Sequence, residues 1–229
     1  MITIYYSKTD YTGLRNPGPA PVRNIMQDDF KVRGQYNQCP AYHDHLRNLY
    51  AIQAPFDYNL RFDGANLRSD QQDQATYDEF VTLRSQPSKL ITLTNYIWMI
   101  PDVPSLMVSV TPAYLDCNGF TEGAIVIPGT FDVGRWPRKI ECAFHMKQDQ
   151  IAFQEGDSML YVRLHTDEDI VFKQFLPTPR IKEYLEIIDK SKALRVRDMS
   201  PMSFFYDLIG KNKSLKAKML EEARANVIS

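Results

Sequence analysis

An α+β fold is predicted: a mainly antiparallel β-sandwich or partly open barrel with short inserted helices and a helical C-terminal segment. Three observations carry this expectation. From Lys89 to Phe175, short runs rich in Ile, Val, Phe, Tyr and Thr alternate with Pro, Gly and Asp, the rhythm of strands and turns. Before that stretch, helical signals are brief and interrupted. After "LPTPR" apolar residues recur at helical spacing. The chain therefore divides into a β-rich body, residues 1–179, with two short helical insertions, and a helical segment, 180–229, that packs on the body or on a partner.

Taken in order, Ile2, Ile4 and Tyr6 alternate with Thr3 and Tyr5, the period-2 pattern of a strand. "TGLRNPGPAPVRN" follows, too broken by Pro and Gly for a helix or a central strand. In "CPAYHDHLRNLY", Pro40 suits a first helical turn, and Ala41, Leu46 and Leu49 give a partial apolar face. Tyr58, Leu60 and Phe62 then alternate up to the turn signal Asp63-Gly64. "DQQDQATYDEFVTLRS" opens on Asp70, a plausible N-cap, and reads as a second short helix or a helical excursion from a sheet.

The strands of the body are "LITLTNYIWMI", "LMVSVTPAYL", "GAIVIPGTF", "KIECAFHM", "QIAFQEG", "MLYVRLHT" and "IVFKQF". Many short strands separated by turns fit a sandwich or an incompletely closed barrel. In the tail, Ile181, Tyr184, Leu185 and Ile188 share a helical face. Ser200-Pro201 caps "MSFFYDLI", and Leu215, Met219, Ala223 and Val227 form a narrow stripe that could meet a partner helix.

At 229 residues with 44% apolar and 24% charged content, the chain can bury a sizeable core, and a disordered or fibrous chain is excluded. The formal charge of −1 provides no global attraction to nucleic acid or to an anionic membrane. Residues 180–229 hold 11 Lys/Arg against 7 Asp/Glu, so a mildly acidic body carries a mildly basic tail. The tail's Lys211, Lys213, Lys216 and Lys218 lack interleaved aromatics for base stacking. Three dispersed cysteines fit neither a disulfide framework nor paired zinc ligands. With no export signal and no long apolar run, a cytoplasmic location is expected.

Few chemistries find their residues. There is no Gly-x-Ser-x-Gly elbow and no phosphate-cradling Gly-rich loop. His165-Thr166-Asp167 has the His-x-Asp spacing of non-haem iron sites, with both side chains on one strand face. No histidine follows His165, so a facial triad for Fe2+ would need His145 from an earlier strand, in reversed chain order. The alternative is a strand end running into a solvated acidic turn, "TDED". His43 and His45 diverge by about 200° if helical and cannot grip one ion. The densest cluster of recognition residues is "VIPGTFDVGRWPRKIE", where Asp132, Arg135, Trp136 and Arg138 crowd one loop. Either these residues form a binding surface, or Trp136 folds back as a plug with an arginine paired to Asp132.

"YYSKTDYTG", "CPAYHDHLRNLYAIQAPFDYNL", "VSVTPAYL", "PGTFDVGRW", "CAFH" and "YVRLHTDEDIVFKQF" together resemble a family of uncharacterised proteins of marine tailed phages, especially cyanophages, and marine bacteria. The resemblance implies a virion or host-cytoplasm setting and assigns no activity or site residues. The function expected is that of a phage-type accessory or structural protein acting by binding, through an unknown protein partner or self-association, with no cofactor. The alternative expectation is a non-haem iron oxygenase of double-stranded β-helix type with His165, Asp167 and His145 as ligands. A carbohydrate-binding sandwich is a third.

Overall fold

The computed structural model describes residues 1–7, 18–26, 39–69, 80–198 and 211–228, with the side chains of 95, 96 and 189–198 left aside. Its first strand, β1 (Ile2–Ser7), buries both faces, because Ile2 and Ile4 enter the main core while Tyr5 faces a second one. β1 lies between β14 (Ile170–Gln174), its parallel neighbour, and the long β7 (Leu90–Pro101), antiparallel to it. β7 continues to β11 (Arg138–Met146), and β11 to the three-residue β9 (Ala124–Val126) at the sheet's edge. β6 (Val81–Ser85) pairs with the other end of β7. These strands make sheet I.

Sheet II runs β10-β8-β13-β3-β2, formed by Gly129–Asp132, Met107–Pro112, Ser158–Leu164, Leu49–Gln53 and Ala20–Pro21. A small sheet III, β12-β4-β5, comprises Gln150–Phe153, Tyr58–Phe62 and Leu67–Ser69. The three sheets share one core. Phe144 and Met99 come from sheet I, Val108 and Leu160 from sheet II, and Tyr58 and Ile151 from sheet III. Each such side chain stabilises the fold by about 1.5–3 kcal/mol when fully buried.

The outer faces are covered differently. Over sheet II lie two short helices, α1 (Val22–Ile25) and α2 (Pro40–Leu46), whose Val22 and Leu46 pack in a cluster with Ala51 and Tyr161. α3 (Gly119–Gly123) leads into β9 and is capped at Asn118, whose side chain accepts the N–H groups of Phe120 and Thr121. Gly119 is required there by space alone. A Cβ would fall 1.8 Å from the carbonyl oxygen of Ala152.

Over sheet I lie two long helices, α4 (Pro179–Asp198) and α5 (Lys213–Ala225). Ile181, Leu185, Ile188, Met219 and Ala223 close a second core with Tyr5, Trp98, Ile100 and Trp136. Thr178 starts α4, accepting the Ile181 N–H and donating to Glu222 of α5. Past α5, the Leu176 N–H donates to the Asn226 carbonyl and the Ile228 N–H to the Gln174 carbonyl. The tail is thereby pinned to the end of β14.

The expected α+β class and the dominance of antiparallel pairing hold, and five local readings are corrected or placed. The helix read from Asp70 to Ser85 is a strand over Val81–Ser85, with 70–79 outside the described residues. The segment read as loop, Thr12–Asn24, includes edge strand β2 and α1, and β2 tolerates Pro21 because nothing pairs beyond it among the described residues. "GAIVIPGTF" is two strands in different sheets, since Pro128 ends β9 before β10 begins. The helix read at "MSFFYDLI" lies outside the described residues. The stripe Leu215, Met219 and Ala223 turns toward its own sheet, which answers the expectation of a partner helix. Among the described residues no helix is long and apolar enough to cross a membrane.

Candidate functional site

The loop singled out from sequence joins β10 to β11, crossing from sheet II to sheet I. Its organiser is Asp132, whose carboxylate accepts the N–H groups of Leu106 at 2.8 Å and Arg135 at 3.0 Å and the hydroxyl of Ser105 at 2.6 Å. Burial pushes this carboxyl up, but those hydrogen bonds, with one from the Gly134 N–H, outweigh it and hold it below the ordinary carboxylate range. Gly134 lets two loops touch, because a Cβ would sit 2.6 Å from the Leu106 nitrogen. Trp136 is 2% exposed and belongs to the core under α4 and α5.

Trp136 is thus largely withdrawn from external ligands, and of the binding surface expected from Asp132, Arg135, Trp136 and Arg138 the first three line one cavity while Arg138 does not. Arg138 pairs with Glu141 at 3.6 Å and lies 4.7 Å from the Phe131 ring centroid. Arg135 alone of the four is exposed, at the rim of a cavity of about 300 Å³ beside Met107 and Thr130. The loop instead holds the helical segment. Lys216 of α5 donates to the carbonyls of Val103 and Gly134, and burial lowers its pKa against the attraction of Asp132 and Asp102.

The candidate iron ligands are separated. Phe144 and Met146 point into the main core, so His145 between them faces out from sheet I, opposite Ile125. Its Nδ1–H donates to the Ser88 carbonyl at 2.7 Å. Leu164 points into the same core from sheet II, so His165 faces out on the opposite side of the molecule and bonds Ser109 Oγ at 2.6 Å. Asp167 is exposed in the turn beyond, where its carbonyl accepts from Arg47. The triad of His145, His165 and Asp167 is thus corrected: it would need two imidazoles on opposite outer faces to meet at one ion. Among the described residues no three His, Cys, Asp or Glu side chains gather to hold a metal. His45, in α2, bonds the Tyr114 hydroxyl at 2.6 Å.

A different site was missed. At the corner between the sheets, the ladder from β11 ends on β9, where Ile127 N–H bonds Ala143 and Lys147 N–H bonds Gly123. By alternation, Ile125 also turns its backbone groups to β11, while Ala124 and Val126 turn theirs to the open side. The Ala124 N–H is used by the Phe120 carbonyl. That leaves the Val126 N–H and the carbonyls of Val126 and Ala124 along a groove of about 260 Å³, without a strand beside them among the described residues. The far wall is the end of β8 and its following loop, with Pro112, Tyr114 and Asp116, and α3 adds Glu122. Tyr114 is 50% exposed and Ile125 55%, and Ile127 is exposed nearby.

The local cause is legible in retrospect. α3 and Pro128 confine β9 to three residues, too short to reach a second neighbour but long enough to present an edge. The sequence signal was the placing of a short apolar run between Gly123 and Pro128, with apolar residues in both alternating sets. Set against known protein families, curated proteins and solved structures, the chain finds no match.

Proposed function

We propose that this chain is a phage-type accessory or structural protein that acts by binding, and that it binds an extended segment of a partner protein along β9. The phage setting is supported by the resemblance of the motifs named above. The binding reading is carried by one observation: the β9 edge, where the Val126 N–H and two carbonyls have no strand beside them among the described residues, lies along a groove walled by half-exposed Tyr114, although Ala124 and Val126 are only 6% and 5% exposed. An added strand would satisfy those groups and cover the flanking side chains.

Magnitudes set the expected strength. Three hydrogen bonds contribute about 1 kcal/mol each net, on the order of 3 kcal/mol, and association costs at least about 4 kcal/mol. Burying Tyr114 and an isoleucine has to supply the remainder. Binding is thus expected to be weak for a short peptide, with a dissociation constant on the order of 1 mM or higher.

Selection from a displayed library of random peptides tests this, with wild type as target and Val126→Pro as counter-target. Proline at Val126 removes the outward N–H and leaves the β11 ladder bonds in place. Peptides of alternating apolar pattern that bind wild type and lose the variant are expected. A selection that yields only peptides binding both proteins equally overturns the edge reading.

A further inference from the structure

The groove at β9 has a sign as well as an edge, and resting on the binding reading above, we infer that its occupant is a basic extended segment of another protein. Two carboxylates line it, Asp116 from the β8–α3 loop and Glu122 from α3. One cation adjoins it, Lys147 from the end of β11, whose ammonium is held by the backbone carbonyls of Thr121 and Glu122, so two carboxylates stand against one ammonium. A strand laid against Val126 projects alternate side chains to the two sides of the groove. Lysine or arginine at such positions meets a carboxylate, whereas aspartate or glutamate meets a like charge.

The same charges argue against a second copy. Pairing β9 with its own equivalent would bring the Asp116 and Glu122 of both copies into one corner, four carboxylates around two short strands. Tyr114, half exposed on the same wall, offers a ring face to a lysine or arginine stem and a cation to its π-system. A strand carrying basic residues therefore gains the edge hydrogen bonds, the carboxylates and the ring together.

Two capped, fluorescein-labelled heptapeptides test the inference by fluorescence anisotropy, one alternating valine with lysine and the other valine with glutamate. Wild type is expected to prefer the lysine peptide by about tenfold at low salt, an advantage that shrinks as added salt screens the carboxylates. The variant Asp116→Asn with Glu122→Gln should bring the two peptides within about threefold of each other, and Glu122→Lys should tilt the preference toward the glutamate peptide. Glu122 is exposed, and an unchanged melting temperature shows that each variant is folded.

Equal affinity for the two peptides, with both weakened by Val126→Pro, overturns the basic occupant and leaves the edge reading standing. Failure of both peptides to bind, with a dimer in sedimentation that Val126→Pro dissociates, overturns the basic occupant in favour of a second copy. Failure of both with a monomer overturns both readings. A lysine preference that survives in the neutral double variant shows that the carboxylates are not its source, and also overturns the inference.

Discussion

The loop at Trp136 and the groove at β9 lie on consecutive stretches of chain, yet one is interior and the other is surface. The loop holds aromatic and arginine residues, the composition of a recognition surface. It crosses to the side of sheet I that α4 and α5 cover, and Trp136 is taken into their core. The groove sits beside "AIVI", the composition of a buried strand, and leaves Ile125 and Ile127 outside. Residue type reports the free energy available from burial, and topology decides whether burial happens.

Substitutions that separate the two regions sharpen this contrast, and the largest effect is expected in the loop. Trp136→Ala should cost about 3–5 kcal/mol, the usual range for a buried aromatic, read as a fall in the midpoint of chemical denaturation. Binding at β9 should persist at temperatures where the variant remains folded. An effect below about 1 kcal/mol would show that the tryptophan is not the keystone of the second core, and would return the loop to candidacy as a surface.

Next comes the loop's organiser. Asp132→Ala removes the four hydrogen bonds to the carboxylate and should cost about 2–3 kcal/mol at neutral pH. The pH dependence has a definite sign. The folded-state pKa lies below the ordinary value, so Asp132 contributes stability above the ordinary carboxylate range and loses it as pH falls through the folded-state value. The difference between wild type and variant should therefore narrow in acid. A gap that widens on acidification would contradict the hydrogen-bonded carboxylate. Gly134→Ala should follow at about 1–3 kcal/mol, because the added methyl meets the backbone of Ser105 and Leu106.

How far the sequence could go follows from which residues decided each feature. Alternation in β1 and β4 was readable because the period-2 pattern is local, and β13 was readable from its β-rich composition. The pairing of β1 with β14 across almost the whole body was not, since nothing local links Ile2 to Ile170. His145 sat correctly on a strand and His165 fell one residue past the end of β13, and which face was inward depended on the sheets those strands joined. At Asp70–Ser85 a plausible N-cap suggested helix, and the pairing of Val81 and Leu83 with β7 overrode that local preference. The groove was hidden for the opposite reason: a free edge is defined by a neighbour that does not come, and no residue type encodes that directly.

The smallest stability effects are expected at the edge, where they carry the most weight for function. Ile125→Lys replaces a side chain that is already 55% exposed, so it should change stability by no more than about 0.5 kcal/mol. Val126→Pro should cost about 1–2 kcal/mol, because Val126 packs in the main core while the amide it removes points away from β11. Ile125→Pro provides the contrast, since its amide faces the β11 ladder, where Ile125 pairs with His145. Loss of that bond leaves a backbone acceptor unmatched and should cost about 3 kcal/mol. Hydrogen exchange of the two amides in wild type checks the same assignment without substitution: Ile125 should be protected, and Val126 should exchange quickly until a peptide occupies the groove. Equal protection of both amides in the free protein would mean that the edge is already paired, and the distinction between a closed loop and an open groove would fail at β9.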